Sequence, residues 1–527
     1  MSTEPVVITE SLGGSALSVA ARAGQLPQWY PRPPRGAEWI DHAARVRASA
    51  PANWYEDLLP AITPRGAAAD RLRRAAEQGI VVTTGQQAGL FGGQLMTLVK
   101  ALSARALADV LQESTGLPVA PIFWAATDDA DFEEAAVVSV SLDGGARELE
   151  LESRAPVGTP VARVPLDQGE LDTLAVFLRE ACGSAPHASY LDDVLTAFRG
   201  GVSLGDAYVT WLRDVLEPLE ISVLDASHPA MVRAALPMLR RTAREAGAIA
   251  QAVARRSEAI IAGGFTPQVQ EVEGLSLVSM HAGGIKRRLP LREAMTVGAG
   301  NGDEVLTSTV LVRPVVERAI MPTVAYLGGP GEVAYFAQVS AVADALGVAS
   351  PTVLPRWSCT IIEPRVRRIL DELHVGRDAL ADPHALEGRV ARERLPAETT
   401  ASLAALRRDL DANIDTLRRT GNGLVPDAVV DGLRRTVDLK LERLDRRFIA
   451  AMKRREADAM RSIATARGAL YPHGVRQERK LAYAPFLARY GSALLEQMLE
   501  EAHKHARSLV AGGPSLATPP TAVTASV

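Results

Sequence analysis

Apolar and polar positions along the chain fall into three blocks that set its organisation. Ile80–Thr84 is an unbroken run of apolar and β-branched residues between Gly79 and Gly85, the signature of a strand buried on both faces. Gly85, Gly89, Gly92 and Gly93 then make a flexible turn, and from Gln94 onward Leu95, Leu98, Val99 and Leu102 recur at helical spacing until Gly116. A second apolar strand, Val119–Ala125, follows Leu117-Pro118, and the resulting strand–helix–strand unit predicts a right-handed parallel crossover. Further on, Met321–Leu327, the turn Gly328-Gly329-Pro330-Gly331 and a helix from Glu332 carrying Val333, Phe336, Ala337 and Val339 repeat the plan. The class is α/β with a parallel sheet, and two glycine turns at one end of that sheet predict a cleft.

The remaining segments have different textures. Residues 1–78 read as a lead-in with a proline-rich arm, WYPRPPRG at 29–36, and helical patterns at Ala37–Ala48 and Ala67–Gln78. Val137–Leu142 and Ala146–Leu151 alternate around Asp143-Gly144-Gly145, a hairpin signal, and the helix Glu170–Ala181 follows. Ile221–Leu224 predicts another buried strand, Ala230–Ile261 one long helix, Gly263–Asn301 a segment of hairpin character, and Cys359–Ile362 a closing strand. Beyond Glu363, Leu403, Leu406, Leu410, Ile414 and Leu417 alternate steps of three and four, as do Leu433, Val437, Leu441, Leu444, Phe448 and Met452. The turn Gly421-Asn422-Gly423-Leu424-Val425-Pro426 separates them, which predicts an antiparallel coiled-coil hairpin. Two helices cannot bury such a stripe alone, so a homodimer through this hairpin is expected. A helix near Gly491–Leu509 precedes a Pro/Thr/Ala-rich tail expected to be disordered.

Candidate chemistry clusters at the strand ends. The first glycine turn matches neither G-x-x-x-x-G-K-[ST] nor G-x-G-x-x-G, so Gly89, Gly92 and Gly93 either cradle a phosphate or carboxylate or simply pack closely. Gln86 and Gln87 are not needed for a turn and are expected to orient a ligand. After the second strand come Asp128, Asp129, Asp131, Glu133 and Glu134, which can hold an ammonium, hold Mg²⁺ with a nucleotide, take a proton from an attacking amine, or cap a helix. Asp129 and Asp131 are the expected catalytic pair. At the second turn Tyr326, Gly328, Gly329 and Glu332 are expected substrate contacts, with Tyr335 and Gln338 facing the cleft at i+3 spacing. Arg313 suits a substrate carboxylate or a bridge to Glu317, and Arg356 carries the same two readings. Lys286, Arg287 and Arg288 read as solvated surface or as contacts to an acidic substrate, and His228 as a capping residue.

Composition narrows the classes. With 527 residues the chain needs more than one core, and a net charge of −4 argues against nucleic-acid binding. Acidic Asp409, Asp411, Glu442 and Asp445 interleave the arginines of the hairpin, which argues the same way. Two cysteines far apart, Cys182 and Cys359, imply a reducing compartment, and Cys359 reads as a buried small hydrophobe. No apolar run approaches the ~20 residues of a membrane helix, and the N-terminus lacks a secretory pattern, so the cytoplasm is expected. No Cys/His cluster has zinc spacing, and no metal site is predicted.

Four runs, TGQQAGLFGG (84–93), PIFWAATDDADFEEA (121–135), LVRPVVERAIMPTVAYLGGPGEVAYFAQ (311–338) and YPHGVRQER (471–479), together resemble the bacillithiol biosynthesis cysteine-adding enzymes, the BshC family. The resemblance implies a Rossmann-like core with two inserted subdomains and a long coiled-coil hairpin used for dimerisation. On that plan 1–136 holds the lead-in and first half of the core, 137–213 the first insertion, 214–262 the core return and 263–307 the second insertion. The second half of the core is 308–385, the hairpin 386–470, a C-terminal loop and helix 471–511 and the tail 512–527. The implied activity joins L-cysteine to the amine of glucosamine-malate. Joining a carboxylate to an amine in water needs activation, so ATP with Mg²⁺, through an acyl adenylate or acyl phosphate, is expected. His473, Gln477 and Arg479, in a non-periodic loop that the resemblance turns back toward the core, are expected nucleotide contacts. The family pattern Glu-Asp-His-Asp reads Asp128, Asp129, Ala130, Asp131 here, and Ala136 and Val137 stand where the family has Asn-His. That departure leaves two other readings: another amide-forming or nucleotidyl-transferring enzyme, or a catalytically silent dimeric binding protein.

Overall fold

The computed structural model describes residues 4–382, 384–421 and 423–513. The chain divides into two compact units, one comprising the residues up to Val140, Glu148–Ile362 and those from Gln477, the other Ser141–Arg147 and Glu363–Arg476. The expected disordered tail from residue 514 and Asn422 of the expected turn lie outside the described residues.

The first unit is built on β1 (Ile80–Gln87), α1 (Leu95–Thr115), β2 (Val119–Ala126), β3 (Ser222–Asp225), α2 (Pro229–Arg244), α3 (Arg313–Ile320), β4 (Thr323–Gly328), α4 (Pro330–Ala345) and β5 (Val353–Pro355). Five parallel strands pair in the order β5-β4-β1-β2-β3. Chain order reverses between β4 and β1, which makes the carboxyl ends of those strands the switch point where ligands bind in open parallel sheets. Register runs from Ile80 opposite Val119 to Gln87 opposite Ala126, so Gln86 and Gln87 still belong to a strand. The burial that their neighbours imply is met: Ile80 to Gly85 are buried, as are all six residues of β4. Helix α1 is apolar nearly all round because it is covered by the sheet and by the C-terminal helix Ala484–Ala511, which is interrupted at Gly491.

The segment between β1 and α1 is a packed plug. Phe91, with φ of 51°, packs its ring at a tilt, 5.4 Å from that of Phe198. Gly92 has φ of 90°, and a Cβ there would run into Trp211 and the Tyr483 hydroxyl, whose rings stack 6.0 Å apart. Gly93 also needs positive φ, at 77°, and a Cβ on Gly89 would lie 2.7 Å from Gly93. These glycines fold the chain back tightly under aromatic side chains.

Three local expectations are altered. The long helix expected over Ala230–Ile261 is two, Pro229–Arg244 and Ala246–Ala262, with Glu245 at φ −93°, ψ 13° between them; Gly247 weakens the helix at that point. The hairpin expected within Gly263–Asn301, Leu275–Ala282 with Ile285–Pro290, gains a third strand, because Val305–Ser308 pairs antiparallel with Leu275–Ala282. Cys359–Ile362 lies outside the parallel sheet and pairs antiparallel with Val6–Thr9.

In the second unit, helices Ala397–Gly421 and Asp427–Arg455 form the antiparallel hairpin. Arg434 meets Asp411 at 2.7 Å and Arg392 meets Asp445 at 2.9 Å, exposed pairs worth little individually. Leu403 and Ile414 are buried, whereas Leu406, Leu417 and Leu433 remain about half exposed. Among the described residues no helix is long and apolar enough to cross a membrane.

Replacing Gly92 by alanine adds both a disfavoured φ and a clash with Trp211. It is expected to destabilise the protein by ~2–4 kcal/mol, measured as a fall in the urea midpoint at unchanged slope.

Candidate active site

A cavity of about 590 Å³ opens at the carboxyl ends of β1, β2 and β4. Its walls come from Gly85, Gln86 and Gln87 at the end of β1, Lys100 on α1, Asp128 and Asp129 after β2, and Gly329, Glu332 and Tyr335 at the start of α4. Arg313 at the start of α3, Lys286, Ser279, Ser308 and Thr309 around the inserted sheet, and Arg479 from the C-terminal return complete it.

Lys100 is the organising charge. It is 3% exposed, and its ammonium donates to the Gly85 carbonyl at 2.8 Å, the Gln86 Oε1 at 2.9 Å and the Glu332 carboxylate at 2.6 Å. Three acceptors around three N–H donors match the charged form. Burial pulls the Lys100 pKa down, opposed by Glu332; burial would raise the Glu332 carboxyl, but Lys100, the Tyr326 hydroxyl and the Gly329 N–H outweigh it and lower it. Glu332 Oε2 accepts from the Gly329 N–H at 2.7 Å, closing the turn, and Oε1 accepts from the Tyr326 hydroxyl. The pair therefore ties the β1–α1 unit to the β4–α4 unit across the switch point.

The network continues behind the cavity. Arg313 lies 4.9 Å over the Tyr326 ring and reaches the Tyr326 and Tyr335 hydroxyls at 3.0 and 3.3 Å. Its other nitrogen meets Glu317 at 3.2 Å, and Glu317 also accepts from the Thr83 hydroxyl of β1. Burial pushes the Glu317 carboxyl up to about 7, against the pull of Arg313 and Thr83. Arg313 makes the bridge to Glu317 and also lines the cavity.

The acidic run divides. Asp129 lines the cavity, accepting from Gln87 Nε2 at 2.7 Å and from the Ala130 N–H at 2.7 Å. Asp131 is exposed, absent from the cavity wall, and caps the short helix Phe132–Ala135 by accepting from the Glu134 N–H at 3.1 Å. Asp128 lines the cavity in its stead, with its carboxylate 3.3 Å from the Lys286 ammonium. No histidine stands among the residues lining this cavity.

Several expected contacts lie elsewhere. Gly89, Gly92 and Gly93 belong to the packed plug and are not on the cavity wall: Gly92 and Gly93 use positive φ to turn the chain beneath Trp211, and Gly89 packs against Gly93. Gln338 is fully buried on the far side of α4, its amide donating to the Val269 carbonyl at 2.8 Å and accepting from the Val269 N–H at 3.0 Å. Tyr326 and Gly328 are buried behind the wall, Tyr326 acting through Glu332 and Arg313. Arg356 is fully buried in a two-pronged pair with Glu478, at 3.0 and 2.8 Å, and also donates to the Trp357 carbonyl. Gln477 exchanges hydrogen bonds with the Ile361 backbone at 2.6 and 3.1 Å. Together these contacts pin the return segment so that the next residue, Arg479, lines the cavity. His473 is a residue of the second unit, in a tight turn at φ 51°. His228 caps α2 through Nδ1, and Cys359 is buried with its thiol pushed far up by desolvation.

Among the charged residues of the cavity wall, Asp128 and Lys286 carried open readings in the sequence, and Lys100 was not singled out there. Lys100 had a signal: it is the lone ionisable side chain between Leu95 and Ala104 in an apolar helix.

Glu317 titration gives a pH signature. A raised carboxyl favours the folded state below the ordinary glutamate value of 4.5, and that contribution is lost as pH climbs through about 7. Urea-measured stability is expected to fall across that window, and Glu317→Gln is expected to flatten the fall.

Two family models cover most of the chain. The Bacillithiol biosynthesis BshC N-terminal Rossmann-like domain matches residues 62–293 and 291–357, and the BshC C-terminal coiled-coil domain matches 359–508. Similar proteins named "Putative cysteine ligase BshC" include that of Solibacter usitatus, 29% identical over 451 residues, covering 82% of this chain and 84% of that protein. The Koribacter versatilis protein is 28% identical over 522 residues, 88% of this chain and 94% of that protein. The Heliobacterium modesticaldum protein is 30% identical over 471 residues, 82% and 83% respectively.

Proposed function

This chain belongs to the BshC family of bacillithiol biosynthesis, and from that premise we propose that it is a ligase joining the carboxylate of L-cysteine to the amine of glucosamine-malate. The observation that carries the reading is the cavity at the sheet's switch point, where cations and carboxylates converge from opposite walls. Arg479 and Arg313 suit anionic groups of the substrates, and Lys100 holds Gln86 and Glu332 in fixed positions beside them. Asp129, oriented by Gln87 and the Ala130 N–H, takes the proton that the attacking amine sheds.

ATP with Mg²⁺ is the proposed activator, and the residues present fit it. Arg313, Arg479 and Lys286 supply positive charge for phosphates, Asp128 and Asp129 supply the hard oxygen ligands Mg²⁺ prefers, and the Thr309 hydroxyl is buried without a hydrogen-bond partner among the described residues. When bound, ATP would activate the cysteine carboxyl. Among the described residues there is no group of three or more His, Cys, Asp and Glu suited to a metal ion.

Two further features belong to the proposal. Leu406, Leu417, Leu433, Leu444 and Phe448, each between 37% and 50% exposed on the hairpin, support a homodimer formed by a second hairpin. Free, buried Cys182 and Cys359 support a reducing, cytoplasmic setting. The lack of a histidine on the cavity wall favours one alternative, the same amide chemistry on a different amine.

The test incubates purified protein with cysteine, glucosamine-malate and ATP-Mg²⁺ and follows bacillithiol by mass spectrometry. AMP with pyrophosphate, or ADP with phosphate, identifies the mode of activation. Asp129→Asn is expected to lower kcat by ~10²-fold or more. Asp131→Ala is expected to cost only about 1 kcal/mol of stability, as the loss of a helix cap, and to leave kcat within a few-fold. Folded protein that turns over cysteine and ATP with other amines but not glucosamine-malate would favour the alternative acceptor.

A further inference from the structure

Asp128 lines a second cavity as well as the first. This neighbour, about 650 Å³, lies along the inserted sheet, where His281 pairs with Val305 and Ser279 with Thr307. Residues two apart on a strand share a face, so Ser279 and His281 point to the same side with their cross-strand partners. That one face meets both spaces: Ser279 lines the first cavity, while His281, Val305 and Thr307 line the second.

The walls of the second cavity carry polar groups with nothing to bond. Thr307, 6% exposed, has an unpartnered hydroxyl, and His281 Nε2, Glu304 Oε2 and Arg240 Nε are likewise buried without hydrogen-bond partners among the described residues. Native interiors leave few such atoms unsatisfied, and four around one space mark a place where a polar ligand or ordered water completes the bonding. Two more guanidinium groups, Arg163 and Arg233, line the same space and have no carboxylate partner among the described residues. Asp303 is the carboxylate left over, since Asp128 faces Lys286 and Glu304 lies 3.8 Å from Arg240.

Free guanidinium groups call for a carboxylate, and an unbonded carboxylate oxygen, ring nitrogen and hydroxyl call for a ligand with hydroxyl groups of its own. We propose that the second cavity binds the hydroxylated, carboxylate-bearing part of the acceptor substrate, with Arg163 and Arg233 pairing with the carboxylate and Thr307, His281 and Glu304 taking the hydroxyls. The assignment to the acceptor rests on the ligase reading above; the ligand class rests on the cavity itself. The acceptor then reaches past Asp128, its amine in the first cavity near Asp129 and its acidic end in the second.

The test is direct binding of L-malate, a hydroxydicarboxylate probe, to the full-length protein by titration calorimetry, with succinate as the analogue lacking the hydroxyl. Both arginines are exposed, so the Arg163→Gln, Arg233→Gln double variant is expected to fold, checked by circular dichroism. Malate is expected to bind about tenfold or more weaker to this variant, and Thr307→Val is expected to reduce the preference for malate over succinate. Arg479→Gln, in the first cavity, is expected to leave malate affinity within about twofold. The proposal is overturned if malate does not bind, if the arginine pair is without effect, if succinate binds as well as malate, or if Arg479→Gln alone abolishes binding. Since the readout is binding, failed ligation leaves it standing, and ligation without malate binding overturns this proposal alone.

Discussion

The buried ion pair between Lys100 and Glu332 is the constraint on which the rest of the site depends. Each residue belongs to a separate strand–turn–helix unit, and the sheet alone would leave their facing ends free to splay. An ammonium taken out of water needs every donor matched, and Lys100 finds its acceptors on β1 and on α4. Glu332 in turn fixes the Gly329 turn and the Tyr326 hydroxyl, and through Tyr326 the position of Arg313. Removing either charge would strand the other inside the protein. The pair serves less to add stability than to allow one arrangement of the two units.

A second buried pair, Arg356 with Glu478, does similar work at the edge of the same unit. It anchors a segment distant in sequence and so delivers Arg479 to the cavity. Arg356 and Gln477 thus act at one remove, and the residue that reaches the cavity is their neighbour.

The core was legible because its signals are local. Ile80–Thr84, Val119–Ala125 and Met321–Leu327 are apolar on both faces, glycine follows the first and last of them, and helical spacing resumes soon after; strand, turn and helix formed there. The cleft between the turns follows from sheet topology, which made Gln86, Gln87, Asp129, Gly329, Glu332 and Tyr335 readable as neighbours. Sequence spacing could not tell what lies on either side of a turn. Gly92 looks the same whether it approaches a phosphate or Trp211, and Trp211 is supplied by a helix more than a hundred residues away. Asp131 and Asp129 are equally acidic, but the strand direction sends one to the cavity and the other to a helix cap. Gln338 stands three residues from Tyr335, but two such steps from Glu332 carry it about 120° round the helix, where the Val269 backbone holds it. Lys286 enters the cavity from the edge strand Ile285–Pro290 of the inserted sheet, and nothing in the run Lys286-Arg287-Arg288 marks which of its cations does so.

The most direct test of this account is a double-mutant cycle on the central pair, with stability measured by urea unfolding of Lys100→Met, Glu332→Gln and the combined variant. Each single change should cost ~3–5 kcal/mol, because it leaves a buried group unpaired, and the double variant should cost less than the sum by at least ~2 kcal/mol. Costs that add to within ~0.5 kcal/mol would contradict the claim that this pair holds the two units of the site together.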